Sequence, residues 1–432
     1  MKSIVCAMIN YTKNILLQPP NGDYKILPSQ FNAGKRNNFF HFYGSSVTWW
    51  FTEETFYHEK MLAVEFKKSY KDLNNLKIDF LIGHISKAMT VCCVDEDIFN
   101  VDSVVFGNEI SLFDCRIEED LCSLYLNLVD KVYLCIKSEF NDFLYLIYVP
   151  RVVVNNSFHI ADIGVHFINR MDDDYWDRVG VNYKTNGYSL VTNKDQDEKK
   201  LLKRSFDFSL YNTALVVESK GTMDSSSHES RIKIRSALAV LISILINTGF
   251  RFNKAEQKSE KGSLIFSRTP VNMICCQYKM DPSLLPFYTA DIKVTEVHER
   301  ALIDWHRKMA SMSSLSKNRI EIATFYYNLA CNSDGVESYV NYFTCLDALF
   351  GVDGSVGASI KSGVASLNID ENLKSKTEKL YSLRCDLVHG SCRDFLEWNY
   401  YDDYYRHFKS EPYDDIKKLA SASLINCFDV MN

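Results

Sequence analysis

The sequence predicts an α+β chain. It comprises a β-rich N-terminal domain, sandwich- or barrel-like, over 1–167, a mixed connecting region over 168–289, and an all-α helical bundle over 290–432. Three observations carry this reading. Apolar residues alternate with period two in short windows before about residue 165; the period becomes 3.6 after about residue 290; the section between is polar and mixed. At 432 residues the chain is long enough for two or three domains.

In the first region Leu76, Ile78, Phe80 and Ile82 alternate with Lys77, Asp79 and Leu81, and Val132, Leu134 and Ile136 alternate with Tyr133, Cys135 and Lys137. Alternation places one face of a strand on a core. The run 143–149 is aromatic and β-branched and stops at Pro150, and turn-like clusters at 71–75 and 139–142 separate the runs. Trp49, Trp50 and Phe51 read as a core strand. In the middle region Asp172, Asp173 and Asp174 precede a charged stretch at 193–204 and a loop at 219–230. Residues 227–229 cap an apolar helix over 232–247 that Gly249 ends. After a charged loop at 254–261, segments 263–268 and 273–279 form a hairpin. The last region carries helices over 294–309, 316–330, 336–349, 356–367, 371–389 and 415–430.

Composition narrows the function. Hydrophobic residues are 46% and charged residues 24%, which excludes extended disorder, and 8 Pro with 17 Gly exclude collagen-like chains. A net charge of −6 argues against non-specific coating of nucleic acid. The longest apolar run, 237–246, is broken by Ser243 and falls short of the ~20 residues that a membrane span needs. The apolar stretch within 1–6 is too short for a signal peptide, so a soluble, cytoplasmic protein without a membrane partner is expected. Thirteen cysteines without a Cys-x-x-Cys pair read as reduced thiols. No Walker loop, dinucleotide glycine pattern or His-Glu-x-x-His occurs, and no cofactor is expected.

The sharpest constellation runs from Tyr381 through Arg384, Cys385, Asp386 and Val388 to His389 and Gly390. On a helix, residues five apart lie about 7.5 Å and 140° from each other, so one helix does not aim both Arg384 and His389 at one atom. Two such helices about a two-fold axis surround one phosphate with two arginines and two histidines. An imidazole with pKa near ~6.5 takes a proton from a ribose 2′-hydroxyl at neutral pH, and a guanidinium forks onto phosphate oxygens. Only two of the 10 histidines have an arginine five residues before them; the other, His41 after Arg36, lies in a strand-like aromatic stretch. Two further groups are weaker. Cys385, His389, Cys392 and His407 match no established zinc spacing, and the aromatic stretch 400–408 offers stacking planes for bases but also carries acids.

Three segments resemble an Apea-like HEPN domain: Tyr342 to Gly351 with its Asp347, Ala358 to Leu367, and Leu380 to Gly390 with its Tyr-x-x-Arg…Val-His-Gly signature. Cys385 stands where the family usually has a polar residue. The resemblance implies a metal-independent ribonuclease in which Arg384 contacts the phosphate and His389 moves the proton. Asp386 and Asp347 are supporting residues, and Tyr381 and Arg393 are flanking candidates for RNA contact. It further implies a homodimer or higher even oligomer, and a toxic effector of antiphage (abortive infection) defence. The N-terminal domain would sense a phage-derived protein trigger or restrain the nuclease. Residues 291–432 hold 16 Lys+Arg against 21 Asp+Glu, a net of −5, so the expected substrate is a structured RNA selected by shape; that it is tRNA is implied by the family resemblance alone. The alternative is a non-catalytic dimeric binding or regulatory protein that uses the bundle as a scaffold.

Overall fold

A computed structural model describes residues 2–17, 39–42, 45–48, 50–74, 76–95, 99, 111–116, 120–149, 151–179, 212–251, 261–267, 276–281, 284 and 288–431. The expectations for Arg36, Trp49 and the charged segments 193–204 and 254–260 lie outside the described residues. The chain is mixed α+β and predominantly helical. It divides into two compact units, Met1–Asn141 with Lys220–Ser225, and Asp142–Ser219 with Ser226–Asn432.

The first unit is built on helices α1 (Lys2–Asn14), α2 (Glu53–Ser69), α3 (Ile78–Asp95) and α4 (Leu121–Ser138). Its described strands are short: β1 (Ile15–Leu16), β2 (Phe39–Phe42), β3 (Ser45–Thr48) and β4 (Trp50–Phe51), paired β1 with β4 and β2 with β3. The expectation of a β-rich, sandwich- or barrel-like N-terminal domain is therefore corrected. In α4 the buried residues are Leu124, Tyr125, Leu128, Val129, Val132 and Ile136, spaced by three and four, while Leu134 is 62% exposed. A strand would have placed Leu134 on the same face as Val132 and Ile136. In α3, Leu81, Ile82, Ile85, Ala88, Met89 and Cys92 form the buried face. Over five to seven residues both periods fit these segments; over eighteen only the helical one does. Asp120 starts α4 by accepting from the backbone N–H groups of Cys122 and Ser123.

Apart from Asn141 and Lys220–Ser225, which count with the first unit, the second contains β5 (Asn141–Val149), β6 (Val152–Val154), β7 (Phe158–Ile160), β8 (Val165–Asn169), α5 (Asp173–Val179), β9 (Thr213–Gly221), α6 (Met223–Asn247), β10 (Lys261–Ser267), β11 (Cys276–Asp281) and β12 (Ile292–Val294). A six-stranded sheet has the order β11-β10-β5-β9-β8-β7, and β12 pairs in parallel with β6. The expected strand at 143–149 is present as β5. The expected hairpin is β10 with β11, Ser263 opposite Lys279. The boundary expected at residue 167 falls inside β8, within this sheet. Helix α6 starts at Met223, earlier than expected, because Thr222 and Ser225 exchange backbone-to-hydroxyl hydrogen bonds of 3.0 and 3.4 Å there. Gly249, with φ +86°, follows its end.

The C-terminal region is helical: α7 (Glu296–Ser311), α8 (Ser314–Asn332), α9 (Gly335–Phe350), α10 (Val356–Ser366), α11 (Glu371–Ser375), α12 (Thr377–Val388), α13 (Tyr401–Phe408) and α14 (Pro412–Asn426). Helix α9 is central and packs on α8, α10, α12 and α14, burying Tyr339, Tyr342, Phe343, Leu346 and Leu349. Buried hydroxyls and indoles are satisfied across helices: Tyr327 with Ser421 at 2.7 Å, Tyr339 onto the Leu380 carbonyl at 2.8 Å, and Trp305 onto the Leu424 carbonyl at 3.0 Å. The helix expected over 371–389 is divided at Lys376, whose side chain turns inward, and α13 was not expected as a helix.

Candidate functional site

Helix α12 carries most of the candidate residues. Its inner face is Thr377, Leu380 and Leu383, and Tyr339 of α9 bonds its backbone at Leu380. That leaves Tyr381, Arg384 and Cys385 half-buried on the flank. The helix ends at His389, whose N–H donates to the Cys385 carbonyl at 2.9 Å. Gly390 then takes φ +77°, and the Ser391 N–H returns to the Asp386 carbonyl at 2.8 Å. This closure needs the left-handed residue that glycine supplies without strain. His389 is thereby held at the helix end with its ring exposed to solvent.

Asp386 is fixed from outside the helix. Buried Trp398, in the segment after α12, donates its indole N–H to Asp386 Oδ2 at 3.0 Å. Trp398 packs against Tyr400 and Tyr404, with ring centroids 5.8 and 5.9 Å away. Asp386 therefore serves as an acceptor that ties the segment after α12 back onto the helix.

Asp347, on α9, acts on Tyr381 through its charge. Burial pushes the Tyr381 hydroxyl above its ordinary pKa; the neighbouring Cys385 and the Asp347 carboxylate raise it further, and Arg384 opposes them. Two glycines make this neighbourhood possible. A Cβ on Gly351 would lie 1.8 Å from Asp347 Oδ1, and one on Gly357 would lie 2.7 Å from the Tyr381 ring. The structure thus brings Asp347, Tyr381, Arg384 and Cys385 into one neighbourhood, with Asp386 and His389 on the last turn and cap of the same helix.

Arg393 does not join them. Its Nε donates to Glu397 Oε1 at 3.0 Å, its backbone N–H donates to Oε2 at 2.9 Å, and a second guanidinium nitrogen also bonds Glu397. Among the described residues no three metal-ligating side chains gather, so Cys385, His389, Cys392 and His407 form no ligand set. The aromatic stretch is α13: Tyr404 is buried on Asp415, Tyr401 bonds Glu411 at 2.7 Å, and Tyr400 and Tyr405 remain exposed. Lys379 lies over the Tyr400 ring, 5.1 Å from its centroid.

Sequence reasoning missed Trp398, Gly351, Gly357 and Glu397. Only Glu397, four residues after Arg393, left a spacing signal. Cys345, Cys385, Cys392 and Cys427 of the helical region are free thiols, and among the described residues no helix is long and apolar enough to cross a membrane. No protein-family model matches the chain, and no curated protein and no solved structure matches it.

Proposed function

We propose that the chain is a metal-independent endoribonuclease of the HEPN type, acting as a homodimer on structured RNA such as tRNA. The supporting observation is the end of α12, where the exposed His389 ring and the half-buried Arg384 flank a Trp398-anchored Asp386. In this reaction the ribose 2′-oxygen attacks phosphorus, forming the P–O2′ bond while the P–O5′ bond breaks. The 2′-proton passes to one histidine, and the 5′-oxygen leaves with a proton from its symmetry mate. The arginines stabilise the charge on the non-bridging oxygens, and the products are a 2′,3′-cyclic phosphate and a 5′-hydroxyl. The biological setting we propose is cytoplasmic antiphage defence, with the N-terminal unit sensing a phage-derived protein or restraining the nuclease. Expression of the full chain in bacteria tests the reading. Growth arrest with RNA ends of these two kinds supports it, and intact RNA in both resting and phage-infected cells rejects it.

A second reading, a dimeric scaffold without catalysis, is favoured by one feature. Val388, Leu396, Tyr400 and Tyr405 are large apolar residues exposed by 47, 75, 48 and 46% in the chain segment that bears His389. It predicts self-association unaffected by loss of His389 and no RNA cleavage.

A further inference from the structure

A cavity of about 400 Å³ opens between the start of α8, the end of α9, α10 and the last described residues of the chain. It is separate from the candidate nuclease residues, none of which lines it. Its volume falls in the range of small-molecule sites. Leu315 and Arg319 come from successive turns of α8, Phe350 and Val352 from the end of α9 and beyond, Ser362 from α10, and Val430 from the chain's end. The wall between α9 and α10 is tight because residue 363 is glycine: a Cβ there would lie 2.5 Å from the Phe350 ring.

The walls hold one cation, among apolar side chains and the hydroxyls of Ser316, Ser359 and Ser362. Arg319 is half-buried, and its guanidinium is oriented by two backbone acceptors, Nε to the Ala348 carbonyl at 2.9 Å and one terminal nitrogen to the Gly351 carbonyl at 2.8 Å. A guanidinium carries five N–H donors, so these bonds fix its plane and leave donors over. Among the described residues no carboxylate pairs with Arg319. At the rim, Leu315, Val352 and Val430 are exposed by 71, 53 and 36%, and the exposed Ser362 hydroxyl has no partner among the described residues. Apolar side chains held in water around a single planar donor fork complement a ligand with one planar anionic head and an alkyl body.

We propose that this cavity binds a small amphiphilic carboxylate, its head on Arg319 and its chain against Leu315, Phe350, Val352 and Val430. A carboxylate accepts two parallel N–H bonds from one guanidinium fork, and its alkyl body covers the apolar rim. The proposal does not depend on ribonuclease activity.

Titration calorimetry of the full chain with octanoate and with its uncharged methyl ester tests it. Octanoate should bind at micromolar to millimolar concentration and the ester at least about tenfold more weakly, the contribution of a charge-assisted fork. Arg319→Met should weaken octanoate by a similar factor and leave the ester unchanged. Because Arg319 also holds the end of α9, Ser362→Phe at the exposed rim is the second variant. It should abolish binding of both while the thermal midpoint stays that of the parent. Equal affinity for acid and ester, undiminished octanoate binding in either variant, or no binding of octanoate at millimolar concentration would each overturn the site.

Discussion

Lys376 and Asp415 form an ion pair sealed within the helical region: Nζ lies 2.9 Å from Oδ1, and the two side chains are 6% and 1% exposed. Lys376 also donates to Ser410 Oγ at 2.9 Å, and Tyr404 donates to the second Asp415 oxygen at 2.8 Å. Burial pushes the Tyr404 hydroxyl far above its ordinary pKa, so it stays a donor. One network thus joins the residue before α12 to α13 and α14. Removing one member leaves a charge without its counter-ion in a dry setting. Asp415→Ala should lower the unfolding free energy by about 3–5 kcal/mol, read from urea titration. A loss below about 1 kcal/mol, the worth of an exposed pair, would show that water reaches this pair.

His306, on α7, is 1% exposed, and neither ring nitrogen has a hydrogen-bond partner among the described residues. Burial holds its pKa down to about 3, against ~6.5 in the unfolded chain. Between these values the unfolded state binds a proton that the folded state does not. The His306 contribution to stability is therefore complete above pH ~6.5 and falls by about 1.4 kcal/mol per pH unit as the pH drops towards 3. His306→Leu should remove that slope and raise stability at neutral pH by about 1–3 kcal/mol, since no buried polar group is then left unbonded. Parallel pH profiles of the parent and the variant check both.

Gly363→Ala should destabilise the chain by about 1–3 kcal/mol, because its Cβ would lie within 3 Å of three atoms of buried Phe350, including Cβ near the backbone. Gly357→Ala meets only the far end of the half-buried Tyr381 side chain, which can swing away. Thermal melts should therefore separate the two alanines, with the larger drop at 363.

Under the proposed reaction, His389→Ala and Arg384→Ala should each lower RNA cleavage by about 10²-fold or more with unchanged melting temperature. Trp398→Phe removes the indole donor from Asp386 and should cost about 1–2 kcal/mol of stability. Its effect on cleavage should be smaller than that of His389→Ala, because Trp398 acts only through Asp386. Cleavage retained at the parental rate in His389→Ala removes the histidine from the chemistry.

The helical C-terminal region was legible because its apolar stripes run for three or more turns with clear stops, Gly390 among them. Residues 76–82 and 132–136 were misread because windows of five to seven residues satisfy two periods at once; the buried faces of α3 and α4 emerge only over their full length. Arg384, Asp386 and His389 stood out as a local pattern. What holds Asp386 did not, since Trp398 reaches it through the turn at Gly390, a contact that no helical or strand spacing encodes. Arg393 looked available for RNA because its counter-charge, Glu397, lies in a segment without helical periodicity. Lys376 is a buried cation, and no spacing within 371–389 sets it apart from its helix neighbours.

The six-stranded sheet draws on residues from 141 to 281, and this governs how the protein can be dissected. A fragment begun at 168 would split β8, discard β5 and β7, and strip β9 and β10 of neighbours that cover their backbone groups. Naked strand edges of that kind template intermolecular pairing. Shortened versions meant to isolate the helical half are therefore best started after β12, which pairs with β6, so that no strand is kept without its partner and they are recovered as discrete particles rather than precipitate.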